Sequence, residues 1–198
     1  FADPGAAGAV EVYRGYMANR LGATVLGGAL NLISPTGHDA PGVELGAGGG
    51  SFGQRDLSVR YGHERARFDT LLHGDFNDRE GYRAYNASRC ASIGGNVGTR
   101  VSDTLTVRFF ASFADLAFDV AGPLTRDALE RNPRSVFTGP TVTPMGAINP
   151  GPNVVRDRPY REASQLQAGA RATQTFGAHI VDLAVGHART DDHFNFPV

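Results

Sequence analysis

Polar and apolar residues alternate along most of the chain after residue 41. A β-strand turns successive side chains to opposite faces, so a period of two predicts strands with one apolar and one polar face. In residues 67–77, one face carries Phe68, Thr70, Leu72, Gly74 and Phe76, and the other carries Arg67, Asp69, His73, Asp75 and Asn77. We therefore predict an all-β fold whose strands turn one face to lipid and the other to water.

Seven strands are predicted after the first 40 residues, near 42–50, 54–63, 65–78, 87–101, 104–118, 160–175 and 178–195. Tight turns are predicted at 62–65, 101–104 and 176–178, and longer connections at 77–87 and 119–159. A transmembrane antiparallel β-barrel alternates short turns with long external loops. The connection lengths therefore favour a barrel wall over a soluble β-sandwich, which has no reason to sort its loops in this way.

The connection at 119–159 contains seven of the eleven prolines, so we predict no regular strand within it. A short helix is predicted at 125–132, where Thr125 caps the first turn and Pro133 ends it. A loop of this length is either functional, in ligand capture or closure, or a solvated cover over the barrel mouth.

Composition excludes several classes of protein. The net charge is −1 and all nineteen basic residues are arginine, so the sequence lacks the basic patch expected of a nucleic-acid-binding protein. No apolar run reaches the roughly 20 residues of a transmembrane helix. The single cysteine, Cys90, cannot form an internal disulfide, and we predict that it is a small residue of a strand.

Catalytic and metal-binding signals are weak. The sequence has no GxSxG, HExxH or Walker motif, so no catalytic residue is predicted and we do not expect an enzyme. His187, Asp191 and His193 would share one face of the last strand and could ligate a divalent ion. However, Arg189 lies between them on that face, so we expect no metal and no cofactor.

Residues 10–37 carry the most specific motif. Two short strands are separated by an Arg-Gly turn, and the second strand is rich in glycine. This stretch, with Val10, Glu11, Val12, Arg14 and Gly15, then 21–24, 27–33 and 34–37, resembles the last part of the plug domain of TonB-dependent outer-membrane receptors. Residues 121–134 also resemble an external loop of the ferric-dicitrate type of these receptors.

This resemblance implies a fragment of a receptor for energy-coupled uptake of a ferric chelate across the bacterial outer membrane. Residues 1–40 would end the plug, and 41–198 would form about seven strands of a barrel of about 22, with an external loop near 119–159. The implied partners are the ferric chelate, membrane lipid, and the inner-membrane energy-coupling protein TonB, which would bind a segment outside the fragment. Receptors for cobalamin, a nickel chelate or a sugar remain alternatives, as do, less favourably, a passive porin and a barrel enzyme.

Two sets of residues are candidates for function. Arg79, Tyr82, Arg83 and Tyr85 could contact an anionic chelate, because guanidinium groups pair with carboxylates and aromatic rings stack on flat ligands. At the plug, Gly15 would permit a turn and Arg14 would bond to the inner barrel wall. The acidic residues available to Arg14 on that wall are Glu44, Asp56, Asp69 and Asp75.

Overall fold

The computed structural model describes residues 7–15, 27–148 and 151–196. The chain begins with an antiparallel hairpin of β1 (Ala9–Arg14) and β2 (Gly28–Ile33). Residues 1–6 and 16–26 lie outside the described residues, and so does the 21–24 part of the plug-like motif. The division of the chain into plug and barrel therefore stays a prediction.

Seven strands then form one antiparallel sheet, in which each strand pairs with the one before it. They are β3 (Gly42–Gly49), β4 (Arg55–Arg65), β5 (Phe68–Arg79), β6 (Ser88–Arg100), β7 (Leu105–Asp119), β10 (Tyr160–Phe176) and β11 (His179–Asn195). The predicted all-β class is confirmed. The predicted bounds of five of these strands agree with the structure to within one residue.

The connection between β4 and β5 differs from the prediction. We predicted a turn at 62–65, whereas β4 continues to Arg65 and the turn consists of Ala66 and Arg67. Arg67 therefore does not belong to the polar face of a strand. The polar run at 63–65 resembled a turn because these residues extend to the end of the sheet, where both faces meet water.

The short turns lie at one end of the sheet, which we call the turn end. Loop 1 (50–54), loop 2 (80–87) and loop 3 (120–159) lie at the other, the loop end. The predicted sorting of long connections to one side is confirmed. Among the described residues, no helix is long and apolar enough to cross a membrane.

Loop 3 has a small structure of its own. It contains α1 (Arg126–Arg131), a hairpin of β8 (Thr141–Thr143) and β9 (Gly146–Ile148), and α2 (Val154–Asp157). Helix α1 is capped by Thr125 and ends before Pro133, as predicted, but the prediction that loop 3 holds no strand is wrong. Val154 is fully buried and Ala121 is 5% exposed, so the loop has a small apolar core.

The two faces of the large sheet differ in character. The outer face carries exposed apolar side chains, which include Val43, Leu45, Leu57, Val59, Leu72, Ile93, Phe109, Phe113, Leu166, Leu183 and Val185. The inner face is mainly polar. It also carries apolar side chains, such as Phe110 and Leu116. Among the apolar residues of this face, Leu71 lies between Gly62 and Asn96 in the strand pairing and has no exposed surface. A segment described below lies on the inner face and covers Leu71.

Candidate functional site

Side chains from all three loops meet at the loop end. The rings of Phe52 in loop 1 and Tyr82 in loop 2 pack edge to face, with centroids 5.3 Å apart. The guanidinium carbon of Arg134, in loop 3, lies 5.5 Å from the Phe52 centroid and 5.3 Å from the Tyr82 centroid. We call these three residues the loop cluster.

The loop cluster remains accessible to solvent, since Phe52 and Tyr82 are 42% and 45% exposed. A guanidinium group over two rings is held by cation–π attraction and keeps its N–H donors for an anion. The exposed rings add a flat apolar surface. This arrangement is suited to a ligand that combines negative charge with planar groups.

Arg83 has a different role in the structure. Its Nε donates to the carbonyl of Ser135 at 2.9 Å, and its Nη1 and Nη2 donate to the carbonyls of Gly122 at 2.7 Å and Ala121 at 2.9 Å. All three acceptors belong to loop 3. Arg83 therefore ties loop 2 to loop 3, and its predicted ligand contact stays untested.

The other residues predicted in loop 2 are spread around it. Arg79, the last residue of β5, donates from Nε to the Ser88 hydroxyl at 2.8 Å and is exposed. Tyr85 is half-buried and has a left-handed backbone, with φ of 52°. Of the four predicted ligand residues, Tyr82 belongs to the loop cluster. The ligand roles of all four stay predictions.

A second polar site lies on the inner face near the turn end. Arg108 pairs with Asp69 through two bonds, of 2.7 Å and 2.8 Å, and also donates to the side-chain oxygen of Asn96. Asp69 accepts from the backbone N–H of Gly37 at 3.2 Å, and Asn96 donates to the carbonyl of Pro35 at 2.9 Å. The segment 34–41, which we call the connector, is thus bonded to β5 and β6 and, through Asp69 and Asn96, held by Arg108 of β7.

The contact predicted for Arg14 would be made with this inner face of the sheet. Asp69, one of its four candidate partners, pairs with Arg108, and a second candidate, Glu44, pairs with Arg60. Arg14 is exposed at the end of β1, and its contact with the wall stays a prediction. Gly15 has a φ of 86°, a conformation that favours glycine, and its N–H donates to the carbonyl of Gly27.

The connector carries two groups with shifted pKa values. The Glu64 carboxylate accepts from His38 at 2.8 Å and holds the pKa of His38 above its ordinary value of 6.5. Hydrogen bonds from the hydroxyl and the N–H of Thr36 lower the pKa of the Asp39 carboxyl. These bonds close a tight turn within the connector.

No protein-family model matches the sequence, and no curated protein matches it. Among solved structures, the chain is similar to the ferric-catecholate import receptor Fiu from E. coli K12 in its open form, with a TM-score of 0.74 and 13% sequence identity. The alignment covers 93% of this chain and 29% of that receptor chain. At this identity the likeness shows the fold alone: the chain shares the β-barrel architecture of the part of that receptor chain to which it aligns.

The residues considered for metal binding lie on the outer face of β11. Strand alternation places His187, Arg189, Asp191 and His193 on that face, and all four are exposed. Arg189 pairs with Asp191 at 3.1 Å. Within the described part of the chain, no group of three or more His, Cys, Asp or Glu side chains is arranged to hold a metal ion.

Sequence reasoning missed several residues of both sites. Arg134 and Phe52 complete the loop cluster, and Arg108 and Asn96 hold the connector. The only local signal is strand alternation, which puts Asn96 and Asp69 on the inner face of their strands. Their partners lie 61 and 39 residues away along the chain, so a periodicity could not identify them.

Proposed function

We propose that the chain is part of an outer-membrane receptor that imports a ferric chelate with energy supplied by TonB. The observation that carries this proposal is the connector, which joins an N-terminal hairpin to the inner face of a barrel wall. A passive porin needs no such segment. The fold likeness to an import receptor supports the same conclusion, with residues 1–40 as the end of a plug and 41–198 as barrel.

The outer face supports a position in the membrane. On β3 the apolar stretch of the outer face is centred on Leu45, and on β11 it is centred on Leu183. Following the strand pairs across the sheet, however, Leu45 is in register with Arg189, which is six residues beyond Leu183. The apolar band therefore crosses the strands obliquely.

A tilted barrel accounts for this offset. Six steps between strands about 4.8 Å apart, at a tilt of about 40°, displace a level band by about 24 Å, or about seven residues. The observed offset of six residues is close to that value. The apolar band would therefore be level with the membrane only if the strands are tilted. This agreement supports a membrane-spanning barrel wall.

The ligand part of the proposal rests on the loop cluster and on loop 3, which contains five arginines and three acidic residues. This excess of positive charge attracts an anion to the loop end. A catecholate or citrate complex of iron is anionic and offers flat groups or carboxylates to the cluster. Receptors for cobalamin, a nickel chelate or a sugar remain the nearest alternatives, because they would share the barrel and the connector.

The proposal is tested by uptake of radiolabelled iron into cells that carry the full-length gene, with and without TonB. Ferric citrate and a ferric catecholate are supplied separately. We expect accumulation of one of them only when TonB is present. Accumulation without TonB would indicate a passive pore, and no accumulation by a correctly inserted protein would favour another nutrient.

The loop cluster is tested in the same cells with Arg134→Ala. We expect weaker uptake at low ligand concentration, because the variant loses one charge and the contact to two rings. Arg126→Ala, in the exposed helix α1 of the same loop, removes the same charge away from the cluster and serves as the matched control. Equal loss in both variants would leave only a general charge effect and remove the cluster from the proposal.

A further inference from the structure

We infer that the connector is a fixed anchor on the barrel wall, so that any displacement of the β1–β2 hairpin pivots at or before Pro35. The inference rests on the proposed function in one respect, namely that the segment before the connector moves during uptake. The anchor itself follows from contacts between the connector and the inner face.

The first contact is electrostatic and joins three neighbouring strands. Asp69 lies on β5, Asn96 on β6 and Arg108 on β7, and the guanidinium of Arg108 bonds to both of the others. The side chains of Asp69 and Arg108 are only 15% and 25% exposed. Because Arg108 fixes Asp69 and Asn96, their bonds to Gly37 and Pro35 come from prearranged groups.

The second contact is steric. The carbonyl oxygen of Ala40 lies so close to Gly62 on β4 that a Cβ at Gly62 would overlap it. Only glycine permits this approach of two backbones. Pro35 and Gly37 are buried, and Asn96 is 7% exposed. The connector therefore lies directly on the sheet and forms the layer that covers Leu71.

The hairpin before the connector differs in its surface. Val10, Val12 and Leu30 are 51%, 60% and 71% exposed, although they are apolar. Glu11 accepts bonds from Tyr13 and Asn31 within the hairpin. The change from an open hairpin to a buried, cross-bonded connector occurs at 33–35. This position is where a moving segment would pivot.

The test uses the full-length receptor in detergent and measures hydrogen exchange at the Gly37 amide. Arg108→Gln removes the group that fixes Asp69 and Asn96. Without Arg108, Asp69 is free to move away from the Gly37 N–H. We expect the exchange rate of Gly37 to rise about tenfold or more, which is the usual effect of losing a hydrogen bond to a charged group such as the Asp69 carboxylate. An unchanged rate would overturn the anchor.

Arg171→Gln is the matched control. Arg171 is the strand partner of Arg108 and forms its own two-bond pair, with Asp182, on the same face. We expect the Gly37 rate to stay within about twofold in this variant, since its lost bonds belong to another pair. An equal rise in both variants would mean that the wall has loosened generally, and would also overturn the anchor.

Asn96→Ala serves if Arg108→Gln does not fold. It removes the bond to Pro35 and keeps the Asp69–Arg108 pair, and we expect faster exchange at Gly37 than in the wild type. Uptake is measured in parallel. A receptor that shows the expected exchange pattern and imports nothing would disprove the proposed function and leave the anchor intact.

Discussion

Replacing Arg83 with lysine separates the two roles considered for this residue. Lysine keeps the positive charge that a ligand contact would need. It lacks the planar fork whose nitrogens reach the carbonyls of Ala121, Gly122 and Ser135. We predict that Arg83→Lys keeps about one of the three bonds and frees loop 3 from loop 2.

The size of the effect follows from the bonds. A hydrogen bond from a charged donor contributes about 1.5 kcal/mol at the lower end of the measured range, so losing two costs about 3 kcal/mol. Arg83 is half-buried, so solvent screening reduces this cost, and we take about 1.5 kcal/mol as its lower bound. The population with loop 3 detached should therefore rise about 10- to 100-fold.

Limited digestion of the full-length receptor with thermolysin measures this population, because cleavage within loop 3 follows local opening. We expect faster cleavage in Arg83→Lys and an unchanged melting temperature of the barrel. Arg126→Lys is the control for the loss of a guanidinium in loop 3. If cleavage of Arg83→Lys matches the wild type while ligand affinity falls, Arg83 contacts the ligand and the structural reasoning is wrong.

Three further predictions follow from single contacts. Leu71→Ala should lower the free energy of unfolding by about 2 to 5 kcal/mol in denaturant titrations. The neighbouring Leu72 lies on the outer face and is 53% exposed, so Leu72→Ala should lower the free energy of unfolding by less. NMR titration should place the pKa of His38 above its ordinary value of 6.5, and Glu64→Gln should lower it, since Glu64 is the main cause of the shift; because the folded-state pKa is raised, the stabilising contribution of this contact is complete below pH 6.5 and is lost as pH rises through the raised pKa. Thr125→Ala should destabilise α1 by about 1 kcal/mol, seen as faster exchange at the Ala128 amide, which Thr125 caps.

The large sheet could be predicted because its signal is local. Alternation within one strand identifies that strand, and the pairing of consecutive strands follows from short connections. The hairpin of β8 and β9 was missed because prolines dominate loop 3. Pro140 precedes β8 and Pro144 lies in the turn, so neither interrupts the ladder.

The two sites could be predicted only in part, because their contacts join distant residues. Loop 2 was identified from Tyr82 and its arginines, but Phe52 and Arg134 are 30 residues before and 52 residues after Tyr82. Asp69 was identified as an acidic residue of the inner wall, yet its partner is Arg108. A guanidinium group pairs with whichever carboxylate the fold brings near, and the sequence does not contain that distance.

The distribution of charge determines where an anionic ligand would accumulate. Four arginines of the inner face each pair with a carboxylate on another strand, in the pairs Arg60–Glu44, Arg108–Asp69, Arg161–Asp192 and Arg171–Asp182. Strand alternation adds Asp56 and Asp75 to the same face. The wall therefore offers an anion little attraction, whereas loop 3 has two more arginines than acidic residues. Because exposed charges act over about 8 Å at physiological salt, an anion is enriched beside loop 3 and not along the wall. If the proposed function holds, we therefore predict that a ferric chelate first contacts the loop cluster and that the inner wall serves to hold the connector.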